Sequence, residues 1–379
     1  MTALPDVSPA RQAAGIEVED LVAAAYSIPT DRPESDGTLA WNSTTIVVVQ
    51  VTAGPFRGLG YSYAHPVAAE VAATTLARVV VGRDVADVPG AWAAMVGAVR
   101  NVGRQGIAAT AISAVDTALW DLKARWLGLP LVELLGAVRA AIPAYGSGGF
   151  CSYDDETLAD QLGGWAEDGF RFVKMKVGRE PARDPHRTDV ARAAIGPDVE
   201  LFVDANGAHD RSHALAAAAA FAERGVTWFE EPVSSDDLAG LRLVRDRAPA
   251  GMAIAAGEYG WDAFALRALL EAGAVDVLQA DATRCLGSTG YLTAAALCEA
   301  WNVRLSSHCA PSLHATLQCA VRPAVHLEWF HDHVRLEQLL FDGAVEARDG
   351  EVRPDRSRSG LGLELKVPDA DPYLVWRSR

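Results

Sequence analysis

The chain has 379 residues, half of them hydrophobic, and a formal net charge of −15. That length holds one large domain or two smaller ones. The acidic balance excludes nucleic acid and anionic membrane as natural partners, since both select basic surfaces. The five cysteines (Cys151, Cys285, Cys298, Cys309 and Cys319) are odd in number and show no C-x-x-C spacing. This predicts neither a disulfide framework nor a zinc site, and it points to a reducing, cytoplasmic setting. The opening stretch MTALPDVSPARQAAGIEVED lacks the apolar core of a leader peptide. No apolar run reaches the roughly 18 residues of a membrane span.

In chain order, TTIVVVQV (44–51) reads as a strand between turn-rich stretches, and an Ala/Val-rich helical segment begins near Val67. Residues 91–136 are helical in pattern. After Pro143, short apolar runs alternate with Ala-rich segments such as DETLADQLGGWAEDG and HALAAAAAFAERG, the rhythm of parallel strands joined by crossover helices. Eight strands are predicted: IPAYGS, FRFVKMKV, ELFVDAN, TWFEEP, MAIAAGE, DVLQAD, VRLSSH and VHLEW. Their polar terminal residues are Ser147, Lys176, Asp204, Glu230, Glu258, Asp281, His308 and Glu328, spaced 20 to 29 positions apart. Such spacing fits a (β/α)₈-type barrel, whose chemistry gathers at the C-terminal ends of the strands.

Three consecutive ends supply carboxylates, Asp204, Glu230 and Glu258. Converging carboxylates repel one another unless a cation joins them, and hard divalent ions such as Mg²⁺ take oxygen ligands. Any one of the three, taken alone, also fits a helix N-cap. In RFVKMKVG (171–178), Lys174 and Lys176 share a strand face with Phe172, opposite Val173, Met175 and Val177. A nearby cation and a neighbouring ammonium both oppose protonation, so either lysine is expected to be depressed towards a useful base. A structural ion network with the carboxylates is the alternative. On the other wall, Asp281 is placed to orient the imidazole of His308. The two walls would then bracket a substrate held on the metal.

The segments KMK, VDAN, FEEP, AAGE, DATR, SSH and LEW, with SAVDTALWDLKARWLGLPLVELLG (113–136), resemble the enolase superfamily, and specifically its mandelate racemase branch. The resemblance covers nearly the whole chain. It implies an α/β fold, a modified TIM barrel of (β/α)7β type with an N-terminal α+β capping domain. Residues 1–140 would form the cap, 141–345 the barrel, and 346–379 a segment returning towards the cap. It implies Mg²⁺ on Asp204, Glu230 and Glu258, Lys176 as the base for one face, and His308 with Asp281 as the dyad for the other. Lys174 would neutralise the substrate carboxylate and tune its neighbour. Glu328, in its protonated form, would hydrogen-bond the developing enolate. Ser147 and Asn206 would be supporting polar positions at the substrate. Arg284, also placed at the substrate, stands where close relatives of mandelate racemase often carry lysine, a departure that leaves its role open. Glu231 is expected to face away from Glu230, as strand neighbours do.

The implied reaction removes the alpha proton of a 2-hydroxy carboxylate through an enediolate. It would end in dehydration of an acid sugar or in racemisation or epimerisation. A lactone or muconate-type cycloisomerase and a non-catalytic carboxylate-binding barrel are the alternatives. The implied partner is a small-molecule carboxylate, and family analogy implies a homo-oligomer. Specificity is expected from two cap loops, SIPTDRPESDGTLAW (27–41) and AGPFRGLGYSYAHP (53–66). The first is polar, with Asp31, Arg32, Glu34 and Asp36; the second offers Phe56, Arg57, Tyr61 and Tyr63 to grip a hydroxylated acid. Three other features read as ordinary structure. His326, His331 and His333 are taken as surface histidines, Cys309 as a packing residue, and RCLGSTG (284–290) as a loop after a strand.

Overall fold

A computed structural model describes residues 15–378; most of the stretch in which a leader core was sought lies outside them. Strands β1 (Asp20–Ser35), β2 (Ala40–Ala53) and β3 (Phe56–Tyr63) form an antiparallel meander, and the C-terminal strand Leu374–Arg377 adds to the free edge of β1. Val47, Val49 and Val51 pack on the cap helices, while Ile46 and Val48 join the core shared with the barrel. With both faces covered, strand alternation leaves no polar side, which explains the unbroken run IVVV. The sequence reading misses β1. Its DLVAAAYSIPTDRPES is poor in β-branched residues, and a register slip between Pro29 and Glu34 accommodates its second proline. Most of the expected cap loops are therefore strand, and only residues 36–39 make the turn between β1 and β2.

The helix Ile107–Leu127 is buried along most of its length and lies directly on β3. Gly58 and Gly60 make this possible, because a Cβ on either would collide with the carbonyl oxygen of Ala118 or Ala114. Two buried carboxylates then tie the helix to the rest of the chain. Asp116 accepts from Thr289 N (2.8 Å) and Thr289 Oγ1 (2.7 Å), and Asp121 accepts from Leu59 N (2.7 Å) and Leu361 N (2.6 Å). The signature segment thus works as the seam between cap, barrel and C-terminal segment.

Eight parallel strands follow: β4 (Ile142–Gly148), β5 (Phe172–Lys176), β6 (Glu200–Asp204), β7 (Val226–Glu230), β8 (Ala253–Ala256), β9 (Val277–Ala280), β10 (Arg304–Ser307) and β11 (Ala324–Phe330). Each pairs with the next, and β11 pairs with β4, closing the barrel. Helices connect the strands on the outside, from Asp155–Glu167 to Pro311–Ala320, and His331–Leu340 follows the last strand. Val173 and Met175 face those helices; Phe172, Lys174 and Lys176 face inward. Below the lysines the interior is plugged by Tyr145, Phe172, Phe202, Trp228 and His326, packed ring against ring. This floor confines solvent and chemistry to the upper end. At the lower end, the short strand Glu351–Val352 pairs with the start of β4 before the chain reaches the cap. Among the described residues no helix is long and apolar enough to cross a membrane.

Candidate active site

Register builds the site. Lys176, Asp204 and Glu230 are successive partners across β5, β6 and β7, so their side chains enter the barrel at one level. Glu258 stands two residues past β8. Gly257, with φ of 134°, makes the turn, and a Cβ there would strike the Gln279 carbonyl oxygen. Carboxylate oxygens of Asp204, Glu230 and Glu258 lie within 4.8 Å of one another, and all three residues are buried. Glu230 Oε1 has no hydrogen-bond partner among the described residues. Burial, with the Asp204 charge beside it, pushes the Glu230 carboxyl up to about 8. Three hard oxygen donors, one of them orphaned, fit a divalent cation such as Mg²⁺.

The two lysines differ in position. Lys174 is wholly buried, with Nζ 2.7 Å from Glu230, 2.8 Å from Glu328 and 3.5 Å from Asp204. Lys176 lies one layer higher, 2.5 Å from Asp204, and lines the cavity at the barrel mouth. A cation bound to the carboxylates would depress these amines. Burial works in that direction, but Glu230 and Glu328 hold Lys174 well above the usual lysine range, and Asp204 does the same for Lys176. The ammonium groups here occupy the charge-balancing role that a cation on the carboxylates would take over.

On the opposite wall, His308 Nδ1 is 2.8 Å from Asp281 Oδ2, and Nε2 is 3.0 Å from Glu258 Oε2. Burial opposes its charge, yet the Glu258 carboxylate and the hydrogen bond to Asp281 raise the imidazole well above its ordinary value. Cys309 Sγ lies 3.3 Å from His308 Nε2, but burial pushes that thiol up to about 12, so it stays protonated. Cys309 and Ala310 both have positive φ (52° and 43°), and this left-handed turn lets Cys309 N–H donate to Glu328 Oε2 at 2.7 Å. Glu328 also accepts from Ser147 Oγ (2.7 Å) and pairs with Lys174. Burial alone would raise Glu328, but Lys174 takes it well below the carboxylate range.

Other placements also differ from the sequence reading. Ser147 is fully buried beneath Glu328 and positions that carboxylate without reaching the cavity. Asn206 and Arg284 do line the cavity. Arg284 sits 3.4 Å from Glu258 and 3.6 Å from Asp281, under the ring of Tyr259. Glu231 does not face away. Its φ of 37° breaks the strand alternation, and its buried carboxyl is raised first by burial and then by Glu258, Asp204 and Glu230. Only a backbone outlier turns it inward, and no sequence signal announces one.

The cavity above these residues measures about 590 Å³, and its outer wall comes from the cap: Trp41, Ser43, Thr45, Tyr63 and His65. Tyr63 stacks on His333, with ring centroids 3.3 Å apart. Tyr61 is instead a core residue whose hydroxyl donates to Glu337 (2.7 Å) and accepts from Leu313 N (3.1 Å). Phe56 and Arg57 lie at the far end of β3, away from the cavity. His326 and His333 are buried, not on the surface: His326 belongs to the barrel floor and His333 to the cavity wall. The three histidines do not converge on a common site. The glycines of RCLGSTG serve packing, since Gly287 donates to Ser113 Oγ and lies against Asp116.

Residues 157–370 match the family described as enolase C-terminal domain-like, and residues 25–136 match the mandelate racemase / muconate lactonizing enzyme N-terminal domain. The chain belongs to this branch of the enolase superfamily. It is 32% identical over 318 residues to L-talarate/galactarate dehydratase of Salmonella typhimurium, covering 82% of this chain and 77% of that protein. A mandelate racemase/muconate lactonizing enzyme-like protein from Rubrobacter xylanophilus superposes with a TM-score of 0.93 at 53% identity, covering 95% of this chain and 100% of the other. A racemase from Streptomyces coelicolor A3(2), solved with bound magnesium, superposes with a TM-score of 0.89 at 29% identity, over 94% and 100% of the two chains.

Proposed function

We propose that this protein is a Mg²⁺-dependent acid-sugar dehydratase that removes the alpha proton of a 2-hydroxy carboxylate. The observation that carries this reading is the pair of proton-transfer groups, Lys176 and the His308–Asp281 dyad, facing one cavity across the carboxylate trio. Asp204, Glu230 and Glu258 would hold the metal, which would supply positive charge to stabilise the developing enediolate. Lys174, fixed by Glu230 and Glu328 below the cavity, adds a second positive charge as the enediolate develops. With a cation on the carboxylates in place of its own charge, Lys176 would give up its proton to solvent and its neutral Nζ would take the alpha proton from one side. His308, its Nδ1 held by Asp281, presents Nε2 to return a proton to the leaving β-hydroxyl.

The same two groups would racemise an acid that has no β-hydroxyl to expel. Dehydration is favoured by the cap wall, where Ser43, Thr45, Tyr63 and His65 offer hydrogen-bonding groups to a hydroxylated chain. The dehydratase relative supports the same class. A cytoplasmic setting is supported by five free thiols, and assembly into a homo-oligomer follows by family analogy. The test is incubation with a panel of aldonic and aldaric acids plus Mg²⁺ in D₂O, with products identified by NMR. A 2-keto-3-deoxy acid is the expected product. A panel showing neither that product nor alpha-deuterium would sink the proposal, and a ring-opened or ring-closed product would identify a cycloisomerase instead.

A further inference from the structure

A second cluster of metal-type ligands lies where the cap meets the barrel, and it shares no residue with the first. Near the end of β1, Asp31 and Glu34 meet His331, the first residue of the helix after β11; one ligand atom from each lies within 4.8 Å of the others. His331 Nε2 is 3.0 Å from Asp31 Oδ2. Glu34 is only 1% exposed, and its Oε2 accepts from Trp41 Nε1 at 2.7 Å. Its other oxygen, Oε1, is buried with no partner among the described residues. Asp332, also buried, directs one oxygen to Arg335 (2.6 Å) and leaves Oδ2 without a partner. A buried, unpartnered carboxylate among other carboxylates is a costly arrangement that a cation would relieve.

We propose that Asp31, Glu34 and His331 form a second metal site, distinct from the Mg²⁺ trio, that takes Zn²⁺ and staples the cap strand to the barrel. Two carboxylates and one imidazole make a mixed oxygen–nitrogen set, which favours Zn²⁺ over Mg²⁺ and leaves a fourth position for water. The site also has a route to the active-site wall. Trp41 donates to Glu34, stands edge-on to Phe150 with centroids 5.6 Å apart, and lines the catalytic cavity. Metal on Glu34 would therefore hold that wall in place.

The test counts Zn²⁺ in the full chain after chelator stripping, Zn²⁺ loading and gel filtration, which removes weakly held ions. The unaltered protein is expected to retain two equivalents, Glu230→Gln one, and His331→Gln one. Because the His331 side chain is 27% exposed, His331→Gln should fold normally, with circular dichroism as the check. Calorimetric titration of Glu230→Gln against Glu230→Gln/His331→Gln should show at least a tenfold loss of Zn²⁺ affinity at the remaining site. If Glu34→Gln proves unstable, Asp31→Asn supplies the second variant, with the same expected loss. A single equivalent in the unaltered protein, or two equivalents and unchanged affinity in His331→Gln and Asp31→Asn, overturns the site. Glu34 would then simply hold a proton.

Discussion

Replacing Lys176 with Met separates the two walls of the site. In the fold, Lys176 pairs with Asp204 alone, and Asp204 keeps a hydrogen bond from Asn206 N (2.9 Å) and the Lys174 charge at 3.5 Å. Deleting one partner of a fully buried ion pair costs about 3–5 kcal/mol when the other charge is orphaned. Asp204 is not orphaned, so a loss of about 1–3 kcal/mol is expected and the protein should remain folded. The kinetic effect is larger and one-sided. A positioned base contributes about 10²–10⁴-fold, or roughly 3–5 kcal/mol of barrel-derived barrier lowering. The assay uses a 2-hydroxy acid without a β-hydroxyl, so that no water can be expelled and the initial rate of alpha-proton exchange in D₂O, before racemisation accumulates, reports each side. Each enantiomer is followed separately by NMR. Exchange from the Lys176 side should fall by at least the lower of those factors, while exchange from the His308 side stays measurable. His308→Asn should give the mirror-image loss. Lys174→Met should weaken both sides, because its charge is common to them. Undiminished exchange of both enantiomers in Lys176→Met would refute the assignment and leave the lysine pair a structural ion network.

Further outcomes rest on named contacts. Tyr61→Phe leaves the buried Leu313 N–H without its acceptor and should cost about 1–3 kcal/mol in urea unfolding, with kcat/KM little changed; Tyr63→Ala, at the cavity wall, should instead raise KM. Gly60→Ala forces a methyl into the Ala114 carbonyl and should destabilise by about 1–3 kcal/mol, read as a lower Tm. Ser147→Ala removes one of the bonds that position Glu328, and a drop in kcat with KM unchanged is expected from steady-state kinetics. His326 is buried and its pKa lies at about 3, depressed from 6.5. Between those values the unfolded chain binds the extra proton, so stability is full above the unfolded pKa and declines as pH falls towards the folded one. The slope should be about 1.4 kcal/mol per pH unit for this group. Urea midpoints of His326→Gln should fall less steeply over the same range than those of the unaltered protein.

The barrel and its ring of polar strand ends were legible from the chain because two short-range regularities encode them. Parallel strands with crossover helices recur at a near-constant spacing, and alternation within a strand puts Lys174 and Lys176 on one face whatever surrounds them. The convergence of Asp204, Glu230 and Glu258 follows from the same regularities once the barrel closes. Long-range packing decided the rest. The glycines of β3 look like loop residues until the helix Ile107–Leu127 is laid on them, and β1 becomes a strand only because β2 pairs with it. Tyr61 and Tyr63 share a strand face two positions apart and both hydroxyls reach Glu337, yet only Tyr63 lines the cavity. Glu231 turns inward through a backbone angle that no propensity predicts, and Glu328 is held by three donors that β4, β5 and the turn after β10 bring to it at once. Protonation state and side-chain direction depend on neighbours distant in sequence, so they take their values only after the chain has folded.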